Sequence, residues 1–403
     1  MQPITERLLA ANLTALAIVL PLSIAGTNIA LGVATAALAA YLWSGWPWAW
    51  RSAWTPVAWC LCLYCAVAVL TSLTGVAPSI SLRNFHKDVH KLWVLILLLP
   101  ALRAVQPRRL PVALAASFGF LAAYGIYQSC LDSYRSYHGM AFYGYTYAWV
   151  RAHAFTHPVT YGEMLALGFL GCLSFLGCRQ GRPKGLRAKI ILLGLLTVAL
   201  ILNQTRGAFL GLLAGFAVLC WVEPAFRRWL KWGLAAAALC AFAMELLPSQ
   251  RSILTSLRDF GANPDANMQL HRLILWDVAW RIFKDHPWLG VGPASYATVF
   301  TQYFQGMMEG NRIWSSAHNI FLQQLAERGL AGLMTLLALC WLLLAQAWRR
   351  ARLSADAWGL WALSATVCFL VMNLTESAFQ NEQITTLFLF IWACGQSYSE
   401  AQP

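Results

Sequence analysis

Charge is what this sequence has least of. Asp, Glu, Lys and Arg make up only 11% of its 403 residues, where a water-soluble globular domain carries about 25%. Acids are the scarcer kind, 16 against 29 basic residues. With 59% hydrophobic residues and a mean hydropathy of +0.56, this scarcity excludes an ordinary soluble enzyme. Long alternation of apolar and polar residues is missing too, which excludes a membrane β-barrel. There is no Walker loop, no Gly-rich dinucleotide turn and no soluble catalytic domain, so neither ATP nor a metal-held nucleotide sugar is expected. The nearest thing to an acidic metal motif, Asn263-Pro264-Asp265-Ala266-Asn267, reads as a turn. No fixed-period repeat and no low-complexity tail appear. None of the eleven cysteines falls in the longest polar loop, so they form no disulfide framework. Cys60 and Cys62 would point apart on a helix, which favours packing over metal binding.

What is present is a series of long apolar runs. A helix crosses a bilayer with about 20 apolar residues. Runs near 8–25, 27–43, 54–73, 91–106, 109–131, 159–177, 188–203, 207–222, 231–247, 329–347, 357–373 and 383–398 meet that need. The expected fold is an all-α polytopic membrane protein with about 12 transmembrane helices. Its expected parts are helices 1–9 over residues 1–247, a large helical loop over 248–328, and helices 10–12 over 329–403. The first run is read as a span, not a removed signal segment. Short loops rich in Lys and Arg stay in the cytoplasm. Clusters around Arg103–Arg109, Arg179–Lys189, Arg227–Lys231 and Arg349–Arg352 all fall on one side, so both termini are expected there. The formal charge of +13 is thus distributed along a membrane surface, and no nucleic-acid partner is expected.

The opposite face carries cations that the orientation rule does not explain. Its segments are 74–90, 132–158, 203–206, 248–328 and 374–382. Arg206 stands at the turn between two apolar runs, followed by Gly207. A short turn pins it at a helix start, where free N–H groups and a planar guanidinium both favour a bound phosphate. In "SLRNFHKDVHKLW" (Ser81–Trp93), Arg83, Lys87 and Lys91 at i, i+4 and i+8 predict one cationic stripe, with His86 and His90 beside it. The His-x-x-x-His spacing suits zinc, but no glutamate follows the first His and three cations crowd it. An anion site, or a plain interfacial helix, fits better.

The loop sequence "HRLILWDVAWRIFKDHPWLGVGPASY" predicts an amphipathic helix from His271 to about Asp285, with Leu273, Trp276, Trp280 and Phe283 as its apolar face. Arg272 falls at its start, Pro287 stops it, and Gly290 and Gly292 form a turn. "SSAHNIFLQQLAERGLAGL" predicts a serine-capped helix ending at Gly329, with His318 in its first turn as a candidate proton acceptor. The aromatics between Tyr134 and Trp149 suit an interfacial belt or sugar stacking. His157-Pro158 opens the next helix, and Glu163 within it is expected to pair with an arginine.

Three of these segments together resemble the O-antigen ligase and polymerase superfamily. Thr205-Arg206-Gly207-Ala208 resembles its Ser/Thr-Arg-Gly turn. Arg272 to Gly292, with Trp276, Pro287 and Gly290, resembles its arginine-led helix and following turn. His318-Asn319, then Leu322, Glu327, Gly329 and Gly332, resembles its His-Asn segment. His157-Pro158 also looks like a family element. The resemblance implies a metal-independent, inverting glycosyltransferase with no cofactor, in the bacterial inner membrane, its active site facing the periplasm. The implied donor is an undecaprenyl-diphosphate-linked glycan; for a ligase the acceptor is lipid A–core. Arg206 and Arg272 would clamp the diphosphate with Arg83 and Lys87, and His318 would act on the sugar hydroxyl. His157, Glu163 and His86 would support them. A polymerase, a protein O-oligosaccharyltransferase and, outside the family, an anionic-lipid flippase or transporter are the alternatives. The short tail after the last run favours a ligase, and charges gathered at one face disfavour a transporter.

Overall fold

In a computed structural model of the protein, the described residues are 2–43, 51–138, 150–177, 185–229, 268–304, 313–354 and 356–398, with a few positions between 231 and 242. Among them the secondary structure is helical. In chain order the helices are α1 (Gln2–Val19), α2 (Ile24–Trp43), α3 (Pro56–Thr74), α4 (Pro78–Asn84), α5 (His86–Val105), α6 (Leu110–Tyr137), α7 (Pro158–Gly177), α8 (Leu186–Asn203), α9 (Arg206–Val222), α10 (Pro224–Arg227), α11 (Met268–Asp285), α12 (Tyr296–Tyr303), α13 (Ile320–Ser354), α14 (Ala357–Met372) and α15 (Glu382–Ser397). Six of the described helices, α2, α3, α6, α7, α8 and α13, are long and apolar enough to cross a membrane, and α9 and α14 are shorter apolar helices. The protein is a polytopic all-α membrane protein. The expected ninth run, 231–247, lies largely outside the described residues, as do the aromatics from 142 to 149 and the turn at 263–267.

The first helix sits earlier than the apolar run suggested. It ends at Val19, because the chain turns through Leu20-Pro21-Leu22. Proline cannot continue the hydrogen-bond ladder, and Ser23 then accepts from Gly26 N–H (3.0 Å) to open α2.

Glycine sets the tightest packing. Gly207, Gly211 and Gly215 recur every fourth residue along α9, giving it one side-chain-free face. A Cβ on Gly211 would lie 2.8 Å from the Cys368 carbonyl oxygen, and one on Gly215 would lie 2.8 Å from that of Ser364. Helices in lipid associate through such small-residue faces, and α9 therefore lies directly on α14. The same register brings Gly207 against the loop after α14, where its Cβ would stand 2.7 Å from Thr375 Oγ1.

The large loop has its own apolar core, made of Leu275, Val278, Ala279 and Ile282 of α11, Tyr296, Val299 and Phe300 of α12, and Ala326 of α13. The stripe expected to be apolar is a different one: Leu273 and Trp280 are exposed. The helix is apolar on two sides, and its aliphatic side docks on protein.

Backbone-to-backbone contacts fasten this loop to the bundle. Val291 N–H donates to Ala326 O (3.0 Å), Gly292 N–H to Glu327 O (2.8 Å), and Val76 N–H to Val291 O (2.9 Å). Gly329 breaks α13 at φ 60°, ψ −157°, a conformation open essentially to glycine alone.

Candidate active site

The loop between α14 and α15 organises one end of the molecule. Glu376 is its centre, with its side chain 9% exposed. One carboxylate oxygen accepts a bond from Arg272 Nη2. The other lies 2.9 Å from His318 Nδ1. A carboxylate only accepts, so Nδ1 carries a hydrogen, and in the neutral ring the lone pair then sits on Nε2. Neighbouring residues seal the join: Ser316 and Ser377 hydroxyls meet at 2.8 Å, and Ile320 N–H donates to the Asn373 carbonyl (3.0 Å). Further along the loop, Asn381 Nδ2 donates to Thr160 Oγ1 (2.9 Å), and Glu382 lies 3.6 Å from His86 Nε2.

His318 does not sit in a first helical turn as expected. It precedes α13, in a left-handed conformation with φ 48°. Asn319 takes the capping role instead, its Oδ1 accepting from Phe321 and Leu322 N–H. The left-handed turn directs the imidazole toward Glu376 instead of along the helix. Arg272 is likewise not at a helix start, since α11 begins at Met268. Its guanidinium is placed by packing and by Glu376, without help from free helix N–H groups.

Arg206 does open a helix. It follows the N-cap Thr205, after Gln204 in a left-handed turn. Through Gly207 its backbone abuts the Thr375–Glu376 segment; a Cβ on Gly207 would lie 3.8 Å from Glu376 Cγ. Arg206, Arg272 and His318, far apart in sequence, are thus gathered around one loop.

The other candidates fall differently. Lys91 leaves the expected stripe. It is buried (4% exposed), bonding Asp88 Oδ1 (3.2 Å) and the Lys87 carbonyl (2.9 Å). The buried Asp88 on the same helix holds it inward. Asp88 also accepts from Arg328 Nη2 (2.7 Å), and Arg328 stacks over Tyr64 at 4.6 Å. This buried group ties α3, α5 and α13 together. Arg83 is exposed and Lys87 half-buried at the rim. Ser81, on the same short helix as Arg83, donates to Pro293 O (2.8 Å) in the turn of the large loop. His86 and His90 do not share a target: His86 Nδ1 lies 2.8 Å from Arg83 O, and His90 Nε2 lies 3.0 Å from Thr386 Oγ1. His157 is exposed, and its Nδ1 accepts from Val159 N–H (3.3 Å) at the start of α7. Glu163 is buried at 2% exposure and has no ion pair among the described residues. The carboxylate that pairs with Arg272 is Glu376, which the sequence reading did not single out.

An apolar cavity of about 930 Å³ lies between α7, α8 and α9. Leu193, Leu200, Phe209, Leu212 and Phe216 are among its walls. Leu200 and Phe209 flank the turn that carries Arg206.

These features define a membrane-embedded helical protein with a cationic, histidine-bearing site at one end of its bundle. Residues 190–337 match the family model described as O-antigen ligase. The matched stretch contains Arg206, Arg272 and His318. The chain is also 25% identical over 286 residues to "Exopolysaccharide production protein ExoQ" of Rhizobium meliloti (strain 1021), covering 67% of this chain and 60% of that relative. The chain therefore spans about three fifths of the curated relative it matches.

Proposed function

We propose that the protein is an O-antigen ligase, moving a glycan from undecaprenyl diphosphate to a sugar hydroxyl of lipid A–core, without metal or ATP and with inversion. The observation that carries this is the meeting of Arg272 and His318 on Glu376 beside the Arg206 turn. In this reading the acceptor oxygen attacks the anomeric carbon opposite the diphosphate. A C–O glycosidic bond forms as the bond from the anomeric carbon to the phosphate oxygen breaks. The hydroxyl proton passes to His318 Nε2, and Glu376 balances the resulting imidazolium. General-base assistance of this kind supplies about 10²–10⁴-fold.

The diphosphate leaves with negative charge that Arg206 and Arg272 neutralise. Arg272 spends Nη2 on Glu376 and keeps its other N–H donors for phosphate. Fixed donors aimed at developing charge lower the barrier without reorganising. Arg83 and Lys87 add positive potential from the rim. The polyprenyl tail would enter the apolar cavity below the Arg206 turn. The setting is the bacterial inner membrane, with both termini cytoplasmic and the site facing the periplasm.

A second reading is favoured by the relative, whose name concerns exopolysaccharide production. There the acceptor is another lipid-linked glycan and the protein is a polymerase. Purified protein mixed with lipid-linked oligosaccharide and lipid A–core separates the two. Product on lipid A–core supports the ligase; elongated donor, formed without lipid A–core, supports the polymerase. No transfer of either kind sinks both.

A further inference from the structure

We infer that Arg151 is a positioning residue that holds Arg206 in place; the inference rests on the diphosphate-clamp reading above. Arg151 belongs to the strap between α6 and α7 and is only 7% exposed. Its Nε donates to the Asn203 carbonyl (2.7 Å) and its Nη2 to Thr205 Oγ1 (2.7 Å). One planar guanidinium thus grips the last residue of α8 and the N-cap of α9, across the turn that leads into Arg206. Lysine, a single ammonium on a flexible stem, cannot span two acceptors in a fixed fork.

The strap and the turn are bonded in both directions. Ala152 N–H donates to Leu202 O (3.2 Å). Asn203 Nδ2 donates back to Ala152 O (2.8 Å) and Pro158 O (2.7 Å). The strap itself is anchored to α6: Ser129 Oγ donates to Val150 O (2.5 Å), and Val150 N–H donates to Ser133 Oγ (2.9 Å). Space is also closed on the far side, since a Cβ on Gly162 would fall 2.1 Å from Asn203 Oδ1. The turn is therefore held by α6 through the strap, by α7 through Gly162, and by α14 through the glycine face of α9. Arg151 is the charged member of this frame, and its negative-side partner is the carbonyl end of α8, where a cation is favoured.

Arg151 stands among the cations that the orientation rule left unexplained on the outer side. Its burial and partners assign it to the protein and not to substrate. It acts on the diphosphate only through Arg206.

The test is a double-mutant cycle read as affinity for farnesyl diphosphate in detergent, with chelator present. Arg151→Met should weaken binding about tenfold in the wild-type background and less than about twofold once Arg206→Ala is in place, because coupled residues are non-additive. Thr205→Val removes one acceptor and avoids a buried-charge change; it should weaken binding in the same direction, by a smaller factor. Arg151→Lys should recover part of the loss. Equal losses in both Arg206 backgrounds, or wild-type affinity in both Arg151→Met and Thr205→Val, would overturn the inference. Wild-type protein that fails to bind farnesyl diphosphate would overturn the clamp reading itself, and this inference with it.

Discussion

Glu376→Gln is the substitution that probes the site most finely, because it keeps size and removes only charge. The carboxylate has two acceptor oxygens, one for Arg272 Nη2 and one for His318 Nδ1. An amide offers one oxygen and one NH₂. If its oxygen faces His318, the NH₂ opposes Arg272, donor against donor. If its oxygen faces Arg272, the NH₂ faces Nδ1 and forces the hydrogen onto Nε2, where no proton can then be accepted. A hydrogen bond to a charged group contributes about 1.5–3 kcal/mol. The Arg272 side chain is 37% exposed, so water replaces part of what it loses. Only the second orientation leaves no donor facing a donor, so the better satisfied outcome is the one that keeps the arginine bond and inverts the imidazole. Turnover at saturating donor and acceptor should fall by about 10²–10⁴-fold, the whole general-base contribution. Glu376→Ala leaves the ring free to adopt either tautomer and should lose less, about 10–100-fold from the missing charged hydrogen bond. The assay is transfer by purified protein in liposomes. Wild-type turnover in Glu376→Gln, or a deeper loss in Glu376→Ala than in Glu376→Gln, would refute the reasoning.

His318→Ala should abolish transfer and leave farnesyl diphosphate binding within about threefold, since the ring is assigned to the acceptor proton; a parallel loss of both by calorimetry and transfer assay would reassign it to the diphosphate. Asp88→Asn should destabilise the fold by about 3–5 kcal/mol, because Lys91 and Arg328 are left as buried unpaired cations; unchanged thermal unfolding in detergent would count against that network. Gly329→Ala places a Cβ 2.4 Å from the Trp288 backbone in a conformation costing about 1–3 kcal/mol even without the clash. Its expected sign is faster proteolysis of the large loop, and native resistance would contradict the docking described.

Much of the architecture was written in the sequence, because a bilayer demands long apolar runs and strong boundary chemistry. Pro287 after Asp285, and Gly329 within "ERGLAGL", mark real interruptions for reasons that act locally. The departures came where tertiary packing decides. Lys91 shares helical spacing with Arg83 and Lys87, but the buried Asp88 draws it inward. The aromatic side of α11 is as apolar as its aliphatic side, and periodicity alone could not say which one docks on protein. Glu376 lies 58 residues after His318 in a short loop (376 − 318), and no local pattern joins them. Two signals were available. Acids are rare throughout, so one in a short loop between apolar helices is unusual. The Gly207, Gly211, Gly215 spacing also announces a close helix partner for α9, and that partner is α14, which leads directly into Glu376.

The central idea is that fixed guanidinium groups and a carboxylate-held histidine replace a metal ion in managing the diphosphate. Transfer from undecaprenyl-diphosphate oligosaccharide to lipid A–core, measured with chelator and without ATP for wild type and Arg206→Lys, tests it most directly. The expected result is full wild-type transfer in chelator and a large loss in Arg206→Lys, which keeps charge but not the fork. Transfer that stops in chelator and returns with added magnesium, or runs normally in Arg206→Lys, would contradict it.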